Sequence, residues 1–126
     1  MKFTAVCENH LYQKAYSKGK RYVTSALAVY VLPDYHSERL RRAHPQKIKV
    51  NRIGLTVSKK LGGAVVRSRV RRILREAYRQ VDTEHGIKTG HILILAAREA
   101  ATGMKSQELS RDLYRALDKL GLIKDR

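Results

Sequence analysis

The residues best suited to chemistry lie in one stretch, Arg52 to Arg79, and most of their charge is positive. From Lys47 to Arg79 there are 11 basic residues and a single acidic one, Glu76. Lys59 and Lys60 lead into Gly62-Gly63, and Arg67, Ser68, Arg69, Arg71, Arg72, Arg75 and Arg79 follow. A guanidinium is a planar fork of donors that matches phosphate oxygens and stacks on bases, whereas an ammonium is a point charge. Like charges a helical turn apart repel, and a phosphate-rich partner converts that repulsion into binding energy. Gly62-Gly63 leaves backbone N–H groups uncovered just ahead of a helix, where the helix dipole attracts anions. A loop that merely needs glycine to turn has the same sequence. No Gly-Lys-Ser/Thr follows, so the pair is not a nucleotide-binding loop.

Other chemistry is poorly represented. There is no carboxylate cluster of the kind that holds two metals, and no histidine pair for acid–base work. The histidines show no metal-ligand spacing with the lone Cys7, which reads as a small, partly buried residue in a reducing cytoplasm. No catalytic side chain is expected. The formal charge is +16, and its clustering is the footprint of a phosphate-binding surface rather than of general solubility. The longest apolar runs, Ala26 to Leu32 and Ile92 to Ala97, fall far short of the roughly 20 residues a membrane span needs. The start of the chain has no secretory apolar region. Tyr occurs seven times against one Phe and no Trp, which suits aromatic rings at partly exposed positions.

These residues need elements to hold them. A length of 126 residues suits one domain, residues 1–126. Glu8 to Ser17 reads as a first helix, with Asn9 as N-cap and Gly19 in the C′ role. Tyr22 to Leu32 reads as strand, broken near Ser25, and Asp34 to Gln46 as a long exposed loop. In the strand Lys49 to Ser58, alternation sends Ile53, Leu55 and Val57 to the core and Arg52, Gly54, Thr56 and Ser58 outward. Ala64 to Gln80 forms the longest helix, with Val66, Val70, Ile73 and Ala77 as its apolar arc. Arg67, Arg71, Arg75 and Arg79 sweep the opposite side, and Arg69 and Arg72 take the other flank. After a turn from His85 to Gly90 come a buried strand, His91 to Ala97, and a final helix, Gln107 to Leu120. Ser106 is the candidate N-cap of that helix and Gly121 its stop. One sheet with helices packed on it fits the length.

The stretch from Ser58 to Glu76 resembles the signature of the bacterial ribonuclease P protein family. In that signature a strand ends in Ser-Lys-Lys, then come an apolar residue, Gly-Asn-Ala-Val, one residue, Arg-Asn-Arg, and an Arg/Lys-rich helix with Arg-Glu. Ser58-Lys59-Lys60-Leu61-Gly62, Ala64-Val65-Val66, Arg67, Arg69, Arg71-Arg72 and Arg75-Glu76 match it. Gly63 and Ser68 stand where the family usually has Asn. Asn9 to Gly19 resembles the family's first helix, Leu27 to Leu32 its following strand, and Gly90 to Arg98 and Ser106 to Gly121 its last strand and helix. The loop from Asp34 to Gln46 matches least.

The resemblance implies an α+β fold, a two-layer α/β sandwich like domain 2 of ribosomal protein S5. Its order is α-β-β-β-α-β-α, with a left-handed β-α-β crossover. It implies that Lys59, Lys60, Gly62, Gly63, Arg67, Ser68, Arg69, Arg71, Arg72 and Arg75 contact the catalytic RNA of ribonuclease P. It implies a cleft between first helix and sheet for the 5′ leader of precursor tRNA, with Tyr12, Tyr16, Tyr30, Lys14 and Arg52. Aromatic platforms in a basic groove grip single strands with little demand on sequence. The activity implied is removal of that leader, with Mg²⁺ bound mainly by the RNA and no obligate protein partner. A general RNA-binding protein, a DNA-binding regulator and a self-sufficient nuclease are the rival classes.

Overall fold

The computed structural model describes residues 3–5, 9–33 and 51–124. Cys7, the loop from Asp34 to Gln46 and the expected strand start at Lys49 lie outside the described residues. The elements run β1 (Phe3–Ala5), α1 (Asn9–Lys18), β2 (Lys20–Val23), β3 (Leu27–Pro33), β4 (Asn51–Thr56), α2 (Ala64–Glu84), β5 (His91–Ala97) and α3 (Ser106–Lys119). Tight 3-10 turns at Lys59–Leu61 and Glu99–Gly103 precede α2 and α3.

One sheet holds the strands in the order β1-β4-β5-β3-β2. β1 pairs with β4, and β4 with β5, in parallel. β3 runs antiparallel to both β5 and β2. The three-residue strand β1 was not expected; three residues carry too little alternation to read. Thr24 breaks the Tyr22–Leu32 run near the expected place. Its Oγ1 accepts from the N–H groups of Ala26 and Leu27 at 3.3 and 3.2 Å.

Alternation along β3 and β5 feeds two cores. Leu27, Val29, Val31, Leu93 and Leu95 pack with Ile53 against Val70, Ile73, Leu74, Ala77 and Val81 of α2 and Leu109, Leu113 and Leu117 of α3. Leu32, Ile92 and Ile94 pack with Ala15 of α1 on the other face, joined by Leu11, Tyr12 and Tyr30. Strands covered on both faces read as continuous apolar runs, which is how β5 reads. Each fully buried Leu, Ile or Val contributes about 1.5–3 kcal/mol.

Several local expectations need correction. The face of β4 expected to point outward is partly covered: Gly54 is buried beneath α1. The apolar arc of α2 begins at Val70, because its first turn lies ahead of the packed stretch and leaves Val66 37% exposed. The same helix runs on to Glu84, since no breaker intervenes before Gly86, which has φ 78°. Lys105, rather than Ser106, occupies the N-cap of α3, its N–H 3.4 Å from the Glu108 carboxylate. Gly121 ends α3 with φ 78°, as expected. Gly19 is not left-handed; it is required because a Cβ there would stand 2.6 Å from the Ala15 carbonyl oxygen.

Candidate nucleic-acid interface

The basic surface starts where β4 ends. Ser58 Oγ accepts from the Lys60 N–H at 3.3 Å and opens a 3-10 turn that exposes both Lys59 and Lys60. Gly62 closes the turn at φ 146°, where a side chain would be strained and would press on Val66 at 3.0 Å. Gly63 is the N-cap of α2 and offers no side-chain acceptor. A Cβ there meets nothing within 4 Å, so the Asn usual in the resembled signature would fit. The bond from Arg67 N–H to the Gly63 carbonyl at 3.0 Å is the first turn of the helix; the N–H groups before it have no partner within the helix.

Along α2, Ser68, Arg72, Arg75 and Arg79 are exposed on the outward side, and Arg67 and Arg71 are half-buried on one flank. This differs from the expected division, in which Arg72 shared a flank with Arg69. Among the described residues, Arg67, Arg71, Arg72, Arg75 and Arg79 form no ion pair, and Arg67 Nε is buried without a hydrogen-bond partner. Arg69 is committed inward. Its guanidinium donates to the carbonyls of Thr102 at 3.0 Å and Met104 at 2.8 Å, pinning the second 3-10 turn to α2. A shallow concavity lined by Ala64, Val65, Ser68, Arg69 and Arg72 lies at the start of the helix.

The second candidate surface is on the opposite face of the sheet. Tyr30 on β3, Ile94 on β5 and Gly54 on β4 are direct neighbours across the strands. Tyr12 lies over Gly54 so closely that a Cβ would stand 2.7 Å from its hydroxyl oxygen. Tyr16, one turn along α1, meets Tyr30 edge-on with ring centroids 4.9 Å apart and planes at 79°. Its hydroxyl lies 2.9 Å from Thr56 Oγ1. The three expected tyrosines are therefore gathered. Arg52 is half-buried on the same face of β4, two residues before Gly54. Lys14 is exposed and about 160° round the helix from Tyr16, so its stem leads away from the rings. Gly54 and Thr56 carried no sequence signal beyond alternation.

Asn51, also unforeseen, holds the start of β4. Its Nδ2 donates to the Tyr78 hydroxyl at 3.1 Å and the Lys88 carbonyl at 3.0 Å, and its Oδ1 accepts from the His91 N–H at 2.9 Å. That one amide ties β4 to α2 and to the entry of β5. Burial pushes the Tyr78 phenol up to about 12, helped by the Asp82 carboxylate and opposed by the Asn51 hydrogen bond. Among the described residues no three His, Cys, Asp or Glu side chains gather where they could hold a metal ion. No helix among the described residues is long and apolar enough to cross a membrane.

The sequence model of the Ribonuclease P family matches residues 2–121. The ribonuclease P protein component of Clostridium acetobutylicum is 32% identical over 98% of the chain and 93% of that protein. The one from Alkaliphilus metalliredigens is 33% identical over 92% of each. Among solved structures, the Staphylococcus aureus RNase P protein superposes with a TM-score of 0.75 at 26% identity, covering 98% of this chain and all of that one. The Thermotoga maritima RNase P protein, at 17% identity, shares the fold with a TM-score of 0.66 over 86% of this chain and 89% of its own.

Proposed function

This chain belongs to the ribonuclease P protein family, whose members are subunits of an endoribonuclease, and we propose how it works. It binds the catalytic RNA of ribonuclease P through the outward side of α2 and the Lys59–Gly63 turn. It holds the single-stranded 5′ leader of precursor tRNA along the tyrosine surface beside α1, where Tyr16 is exposed, so that the RNA cuts the leader away. The observation that carries this is the row of arginines on α2 that, among the described residues, form no ion pair. Guanidiniums exposed on one side of a helix without ion-pair partners suit an external polyanion. Val65, 85% exposed in the first turn of the same helix, adds an apolar contact for a ribose or base face.

Arg69 supports this surface, with two of its five N–H donors held by the Thr102 and Met104 carbonyls, while Arg72 and Arg75 stay available. The protein's own side chains supply phosphate neutralisation and leader positioning. Mg²⁺ supplies the hydrolytic chemistry and is assigned to the RNA. The setting is the cytoplasm, with precursor tRNA and the catalytic RNA as partners and no obligate protein partner. The deciding experiment is cleavage of precursor tRNA at low Mg²⁺ by the catalytic RNA with and without this protein. The protein should accelerate cleavage and should cut nothing alone. Cleavage by RNA-free protein, or no acceleration, would overturn the proposal.

A further inference from the structure

Tyr16 is 41% exposed, and two contacts fix its ring: the edge-on meeting with Tyr30 and the hydroxyl contact with Thr56. An aromatic platform grips a base only if its plane is already set when the strand arrives, because ordering a loose ring on binding costs affinity. The neighbours of Thr56 across the sheet do not confine the ring by bulk. Thr56 pairs with Ala96 on β5, and Ala96 with Ala28 on β3. Small side chains fill that row, so beside the Tyr30 edge it is the hydroxyl bond that holds the ring.

We propose that Thr56 is a positioning residue of the leader cleft: its hydroxyl, bonded to that of Tyr16, presets the ring that receives a leader nucleotide. This deepens the cleft assignment above and rests on it. Gly54, two residues earlier on the same strand face, sets the depth by letting Tyr12 settle onto the sheet. Of the two bonded hydroxyls, one donates to the other. The acceptor keeps its own O–H free, so the pair leaves a donor at the rim of the cleft. The groove between the end of α2 and α3, lined by His85, Arg111, Tyr114 and Arg115, mixes both signs of charge with Glu84 and Asp118, and nothing on it selects a partner.

The test measures affinity of the reconstituted RNA–protein complex for precursor tRNA with its leader and for mature tRNA. Thr56→Val keeps the side chain's shape and removes the hydroxyl. Tyr16→Phe removes the same bond from its exposed partner, where the fold is not at risk. Each should weaken leader-bearing substrate about 2- to 10-fold, the range of one hydrogen bond, and leave mature tRNA unchanged. The double variant should lose no more than either single one, and Thr56→Ser should restore binding. Additive losses, or no leader-specific loss in Thr56→Val while Tyr16→Ala shows one, would overturn the role of Thr56. If Tyr16→Ala weakened both substrates equally, the cleft assignment itself would fall.

Discussion

Tyr78 and Asn51 share a hydrogen bond in the interior, and that bond has a consequence in alkali. The phenol ionises near 10.0 when free and near 12 when folded, chiefly because burial disfavours the phenolate. Its contribution to stability is therefore fully present below pH 10 and is lost as pH rises from 10 toward about 12. Melting temperatures followed by circular dichroism should fall through that window, and the fall should be shallower in Tyr78→Phe. Equal slopes for the two proteins would show that other groups govern alkaline unfolding. Asn51 itself escaped sequence reading because its strand position looked core-facing but its side chain is polar. Three satisfied hydrogen bonds reconcile the two.

On α2, chemically identical arginines divide into supports and contacts. Arg69→Ala should destabilise the protein by about 2–3 kcal/mol, since two carbonyls lose a charged donor. Arg72→Ala, on the exposed side, should change stability by no more than about 0.5 kcal/mol. Urea unfolding of the two variants checks this, and matching midpoints would refute the division. The existence and type of α1, α2, α3, β3 and β5 were legible because their apolar spacing is long and regular. The covered side of β4 was not. Gly54 and Thr56 are small or polar, so alternation marked them as solvent-facing, whereas α1 comes from far along the chain to cover them. The inward turn of Arg69 was hidden for a similar reason. Its partners are backbone carbonyls of Thr102 and Met104, and carbonyls carry no residue-type signal.

Across the whole molecule, a net charge of +16 works against compaction, and among the described residues the exposed arginines of α2 form no ion pair to offset it. Replacing Arg72, Arg75 and Arg79 together with Gln should weaken binding to the catalytic RNA. It should also flatten the plot of log affinity against log salt, by about 0.7–0.9 for each phosphate that is no longer neutralised. An unchanged slope would mean that these side chains do not meet phosphates. Both candidate surfaces grow from one stretch of chain. Gly54 and Thr56 lie under α1, and Lys59 begins the turn that enters α2 on the sheet's other side. Three peptide steps, through Val57 and Ser58 and spanning at most about 11 Å, connect Thr56 to Lys59. With β4 locked between its parallel neighbours β1 and β5, that short tether acts as a fixed gauge. On the proposed assignment, two different polynucleotides are held at a separation set by protein backbone rather than by a flexible linker.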